Sequence, residues 1–135
     1  MPYLLYADVT DVLVQSFGQT AVEAYFTEVD NEINDLAEQM GVEITQIDTD
    51  YKDTGRIHYK VIRFGVAYLC YRMLYDKAGL NENELSPEND KYYRKGIDYK
   101  HIAGALRGEI TANMFTDTVT STSDRAAYSA VMVRS

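Results

Sequence analysis

IHYKVIRFGVAYLCYRMLY, residues 57–75, decides the fold. At helical spacing, Arg56, Lys60 and Arg63 fall on one narrow stripe. That stripe does not continue, because its next positions are Ala67, Cys70, Tyr71 and Leu74. From Phe64 to Tyr71 there is no charge, and only Arg72 interrupts the run before Tyr75. A helix that is apolar on all sides must be covered on all sides. The stretch is therefore expected to be the central helix of a bundle, surfacing in its N-terminal half along one basic stripe. It falls short of a membrane span, which needs roughly 20 apolar residues without charges.

The flanking sequence supplies the covering helices. Asp8 is read as the cap of a short first helix with Val9, Val12, Leu13 and Phe17 on its inner face, ended by Gly18. Thr20 and Glu23 have capping-box spacing and open a second helix over 21–40. Its apolar positions, Val22, Tyr25, Phe26, Val29, Ile33, Leu36, Ala37 and Met40, recur every three or four residues. Residues 43–48 alternate weakly, as a short strand does, and Asp53 or Thr54 is in place to cap the central helix. Ser86-Pro87 starts a last helix that runs to about Arg107, with Tyr92, Tyr99, Ile102, Ala103 and Leu106 inward. Gly96 marks either weakness or a close approach to another helix. The expected fold is all-α, a small four-helix bundle over 1–110. An extended C-terminal tail follows over 111–135, and residues 109–115 offer one more short β element.

Charge is segregated along the chain. The net charge is −8, yet residues 1–50 hold eleven carboxylates and no Lys or Arg. The remainder holds all thirteen Lys and Arg against ten carboxylates. An acidic front of −11 does not grip nucleic-acid phosphates. It suits pairing with basic groups of the same or a neighbouring chain.

Residues for chemistry are sparse. His58 and His101 stand alone, without histidine or cysteine at metal-ligand spacing. Cys70, the one cysteine, sits mid-helix and reads as a small core residue. No phosphate-cradling glycine motif occurs, and the second helix has no Glu-x-x-His pair. The expectation is an interaction protein with no catalytic residue, no metal and no cofactor. Tyr128 and Val131-Met132-Val133, flanked by Arg125 and Arg134, read as the anchors of a tail that folds on a partner, the alternative being a ragged terminus.

Four stretches together carry a resemblance: YADVTDVLVQSFG (6–18), VDNEINDLAEQ (29–39), VIRFGVAYLCYRMLYD (61–76) and KYYRKGIDYKHIAGALRGEI (91–110). Over about residues 3–110 the chain resembles the head-to-tail connector (adaptor) proteins of tailed bacteriophages, including their Mu-like relatives. The resemblance implies a structural protein of the virion neck, made in the host cytoplasm. It implies a dodecameric ring between the portal protein and a stopper or tail completion protein. DNA passes through such a ring during ejection without specific binding, and no membrane is involved. On this reading Arg125, Tyr128, Val131, Met132, Val133 and Arg134 dock on the portal. Ile47, Asp48, Asp50 and Tyr51 contact the next neck protein. Arg56, Lys60 and Arg63 meet Glu28, Glu32 and Asp35, either of an adjacent subunit or of the same chain. The alternative, motivated by the acidic front, is an inhibitor that imitates DNA. It needs carboxylates in phosphate-like rows and does not need the tail.

Overall fold

The computed structural model describes residues 2–79 and 87–116, which form five α-helical segments and no strand. These are α1 (Val12–Gln15), α2 (Gln19–Glu23), α3 (Phe26–Gln39), α4 (Tyr59–Ala78) and α5 (Pro87–Glu109). Because α2 runs into α3 through a tight step at Ala24–Tyr25, the fold is a small four-helix, all-α bundle. The stretch that organises the sequence is α4. It buries Val61, Phe64, Ala67, Leu69, Cys70, Met73 and Leu74, and it lies between α3 and α5. The larger of these, Val61, Phe64, Leu69, Met73 and Leu74, each contribute roughly 1.5–3 kcal/mol on leaving water.

Both neighbours run antiparallel to α4. Glu28, near the start of α3, pairs with Arg72, near the end of α4. Lys60, at the start of α4, pairs with Glu109, at the end of α5. Two glycines set the spacing. A Cβ at Gly65 would stand 3.2 Å from both Ile33 and Val29, so α3 packs directly on the α4 backbone there. A Cβ at Gly96 would stand 2.7 Å from the Tyr75 ring. Gly96 thus marks a close approach of α5 to α4.

Several local expectations are corrected. The cap of α1 is Asp11, whose carboxylate accepts from the Val14 N–H; the helix starts later, and Val12 is left 77 % exposed. Val9 and Val14 take the buried places instead. The Thr20–Glu23 box does not form; Gly18 precedes α2, and Gln19 donates to Glu23 at 2.9 Å. His58, not Asp53 or Thr54, caps α4, its Nδ1 accepting from the Lys60 N–H at 3.0 Å. Ile102 is 46 % exposed, because α5 seats through Tyr92, Gly96, Tyr99, Ala103 and Leu106, a stripe that passes one position away.

The two segments read as short strands are 3₁₀ turns, Ile44–Gln46 and Ala112–Met114. A single backbone bond joins these regions, from the Asp48 N–H to the Phe115 carbonyl at 2.7 Å. One bond does not make a ladder. Phe115 and Thr116 are buried, so the core continues past the boundary expected at residue 110.

Candidate functional site

The groups best suited to chemistry are occupied by structural work. Besides capping α4, His58 stacks on Tyr59 and meets the edge of Tyr51, each at 4.8 Å. His101 is exposed on α5. Cys70 is buried, and desolvation, with the Asp11 carboxylate adding to it, pushes its thiol up to about 12. Such a thiol carries almost no thiolate at neutral pH. Among the described residues no three His, Cys, Asp or Glu side chains cluster to hold a metal ion, and no helix is long and apolar enough to cross a membrane.

The basic stripe is broken up by the fold. Arg56 lies ahead of α4 and forks onto Asp8, at 2.9 and 2.6 Å, while also donating to the Tyr3 carbonyl. Burial alone would raise the Asp8 carboxyl. The hydrogen bonds from Arg56 and the Leu5 N–H, with the Arg56 charge, outweigh it and hold the carboxyl below its usual range. Lys60 pairs with Glu109 at 3.1 Å. Arg63 is exposed, with no ion pair among the described residues. On the acidic side, Glu28 accepts from Arg72 at 2.6 Å and from the Tyr68 hydroxyl at 2.9 Å. Glu32 accepts from Arg107 at 2.9 Å. Asp35 is exposed without an ion pair among the described residues. Four of the six residues read as contacts therefore have partners inside this chain, and none of those partners belongs to the six.

Sequence reasoning missed the cations that do bind the acidic segment. Arg72 and Arg107 sit where α4 and α5 pass α3, and Lys95 reaches Asp11 at 2.7 Å. Tyr25 donates to Asp76; burial first, then that bond, pushes its phenol up to about 12. The available signal was the position of each residue on its helix, which becomes informative only once the helix pairing is known.

The loop before α4 is bound to itself and to the core. Ile47 and Tyr51 are buried. Asp50 accepts from the Gly55 N–H at 2.6 Å and donates its own N–H to Asp48 at 2.8 Å. Of the four loop residues read as contacts, Asp50 is exposed and Asp48 half-buried. The six tail residues, Arg125 to Arg134, lie outside the described residues.

Two kinds of surface remain. Uncompensated charge stands on two helices that flank α4. Asp35 and Glu38 project from α3. Lys91 and Lys100 project from α5, resting against tyrosine rings at 5.2–5.9 Å. The second surface is a groove of about 590 Å³ between the N-terminal segment and the α3–α4 loop, lined by Tyr3, Leu5, Asp30, Asn34, Thr49 and Arg56 among others. Compared with protein-family models, curated proteins and solved structures, the chain matches none. What these surfaces offer is binding through charge, phenols and a shallow apolar groove.

Proposed function

We propose that the protein is a head-to-tail adaptor, a structural neck protein that forms a ring between a portal and a stopper or tail completion protein. The observation that carries this reading is the separation of free charge: acidic on α3, and tyrosine-rich and basic on balance on α5, where Lys91 and Lys100 outnumber the unpaired Asp98, with α4 between them. Surfaces that differ but complement each other make a heterologous contact, and such a contact repeated around an axis forms a ring when its rotation closes and a filament when it does not. The likeness of the helical stretches to phage adaptors supports the same reading. In this proposal the basic partner is Lys91, Lys100 and the free Arg63, since Arg56 and Lys60 are engaged within the chain. The portal keeps the C-terminal segment as its contact in this proposal.

The DNA-mimic reading has less support. It requires rows of open carboxylates, whereas Asp8, Asp11, Glu28 and Glu32 all hold cations of their own chain. The experiment is co-purification with the portal protein of the source virus, using the full chain and one ending at Thr118. Binding by the full chain alone, with rings on the portal by electron microscopy, is the expected result. Binding of both chains to a DNA-handling enzyme would replace the adaptor with the mimic.

A further inference from the structure

The groove beside Leu5 lies where the core releases the chain. Asp48 donates its N–H to Phe115, and its neighbour Thr49 forms part of the groove wall. Phe115 and the buried Thr116 are the last described residues, and that bond holds them beside the wall. From there, residues 117–127 lead to Tyr128. Eleven residues span up to about 40 Å when extended, ample for the chain to turn back into the groove.

The groove and the segment match chemically. Leu5 is 51 % exposed, one of the few large apolar side chains left open, and Ile57 provides a second apolar wall. Asn34 uses its carbonyl oxygen for the Tyr3 hydroxyl, at 2.6 Å; its amide N–H groups have no partner among the described residues. Asp30 commits one oxygen to the Tyr3 N–H, at 3.0 Å. Since Asp8 neutralises Arg56, the remaining side-chain charge among the groove's described residues is the Asp30 carboxylate, which the N-terminal amine also faces. The C-terminal segment carries the complement: Tyr128 and Val131 to Val133, between Arg125 and Arg134.

We propose that this groove is a docking site for Tyr128–Val133 of the same chain, with the apolar side chains on Leu5 and Ile57, a main-chain carbonyl at the Asn34 amide, and an arginine facing Asp30. Tethering supplies an effective concentration on the order of millimolar, so a weak contact suffices to hold the segment. The inference does not rest on the adaptor reading. If both hold, the segment must leave the groove before it can engage a portal.

The test is hydrogen exchange by mass spectrometry on the full-length protein, followed over residues 128–133. Exchange roughly tenfold slower than in the free peptide is expected, the protection of a segment docked about 90 % of the time. Leu5→Asp, a change at an exposed position, and Val131→Asp, outside the bundle core, should each abolish that protection. Free-peptide exchange in the unmodified chain would overturn the proposal. Protection that survives Leu5→Asp would place the segment elsewhere and overturn it equally. Protection that fades on dilution would mean that a second copy fills the groove, which overturns docking within one chain.

Discussion

The Tyr99 hydroxyl donates to Asp11 Oδ2 at 2.6 Å, tying the cap of the first helix to the middle of the last. Lys95 reaches the same oxygen at 2.7 Å, while the other oxygen accepts the Val14 N–H. The Asp11 side chain is only 5 % exposed. A carboxylate this buried is tolerated because every side of it is answered. Asp11→Ala removes a cap and leaves polar partners unsatisfied, although Lys95 can turn to solvent. The expected loss is about 2–4 kcal/mol by urea unfolding, and Tyr99→Phe should lose about 1–2 kcal/mol.

The same carboxylate shapes the acid limit of stability. Burial raises the Asp11 carboxyl, but Lys95, Tyr99 and the Val14 N–H together hold it low, as Arg56 does for Asp8. A carboxyl held lower in the folded state stabilises fully above its unfolded value, near pH 4, and that contribution is lost as pH falls through the folded value. Asp30 has the opposite sign, because burial raises it further than the Tyr3 N–H lowers it. Its contribution favours the fold at low pH and disappears as pH rises. Asp11→Ala should flatten the loss of stability below about pH 4, whereas Asp30→Asn should leave it in place. Thermal unfolding across that range measures both.

Gly96 and Gly104 occupy the same helix and should respond oppositely to alanine. At Gly96 the new Cβ would meet Tyr75 at 2.7 Å, whereas at Gly104 it meets nothing within 4 Å. Gly104→Ala should gain up to about 1 kcal/mol from helix propensity alone. Gly96→Ala gains the same term but must displace the Tyr75 ring, an overpacking cost of about 1–3 kcal/mol. Melting temperatures of the two variants should move in opposite directions, or at least clearly apart.

Phe115 is 1 % exposed, and Phe115→Ala should cost about 3–5 kcal/mol. A chain cut after Ile110 should fare no better, because the same ring is lost. A cut after Thr118 keeps it and should retain near-full stability. Circular dichroism melts of the three proteins check this.

Four tyrosines should titrate late. Burial raises the phenols of Tyr3, Tyr25, Tyr68 and Tyr99, reinforced by the carboxylates Asp30, Asp76, Glu28 and Asp11 beside them. The stability they lend is complete below the unfolded phenol value, near pH 10, and fades as pH climbs through the folded values. Ultraviolet titration should therefore show a late class of phenols that moves to lower pH when urea unfolds the protein.

The bundle was legible in the sequence wherever side chains repeat at helical spacing. Residues 57–75 read as a helix needing cover all round, and α4 is that helix, packed between α3 and α5. The inner face from Val22 to Met40 was legible for the same reason, although the one helix expected there is broken at Ala24–Tyr25 into α2 and α3. Caps were not, because Asp8, Asp11, Thr20, Asp53 and Thr54 all fit a local rule, and tertiary partners chose among them. Arg56 takes Asp8 out of contention, and Lys95 and Tyr99 fix Asp11 as the cap. The stripe of Arg56, Lys60 and Arg63 misled in the same way: its geometry assumed that Arg56 is helical, and α4 starts after it. The core place of Phe115 depends on where the chain returns after α5, which no periodicity reports. The groove is likewise assembled from residues 2–57, at sequence distances that no local pattern connects.

The junction of Phe115 with Asp48 has a mechanical consequence. Tension applied just past Thr116 arrives first at a ring embedded in the core and a backbone bond to the loop before α4. The last turn of α5 is shielded behind that anchor. A pull at that point is thus borne by the bundle as a whole, and α5 is not the first element to peel.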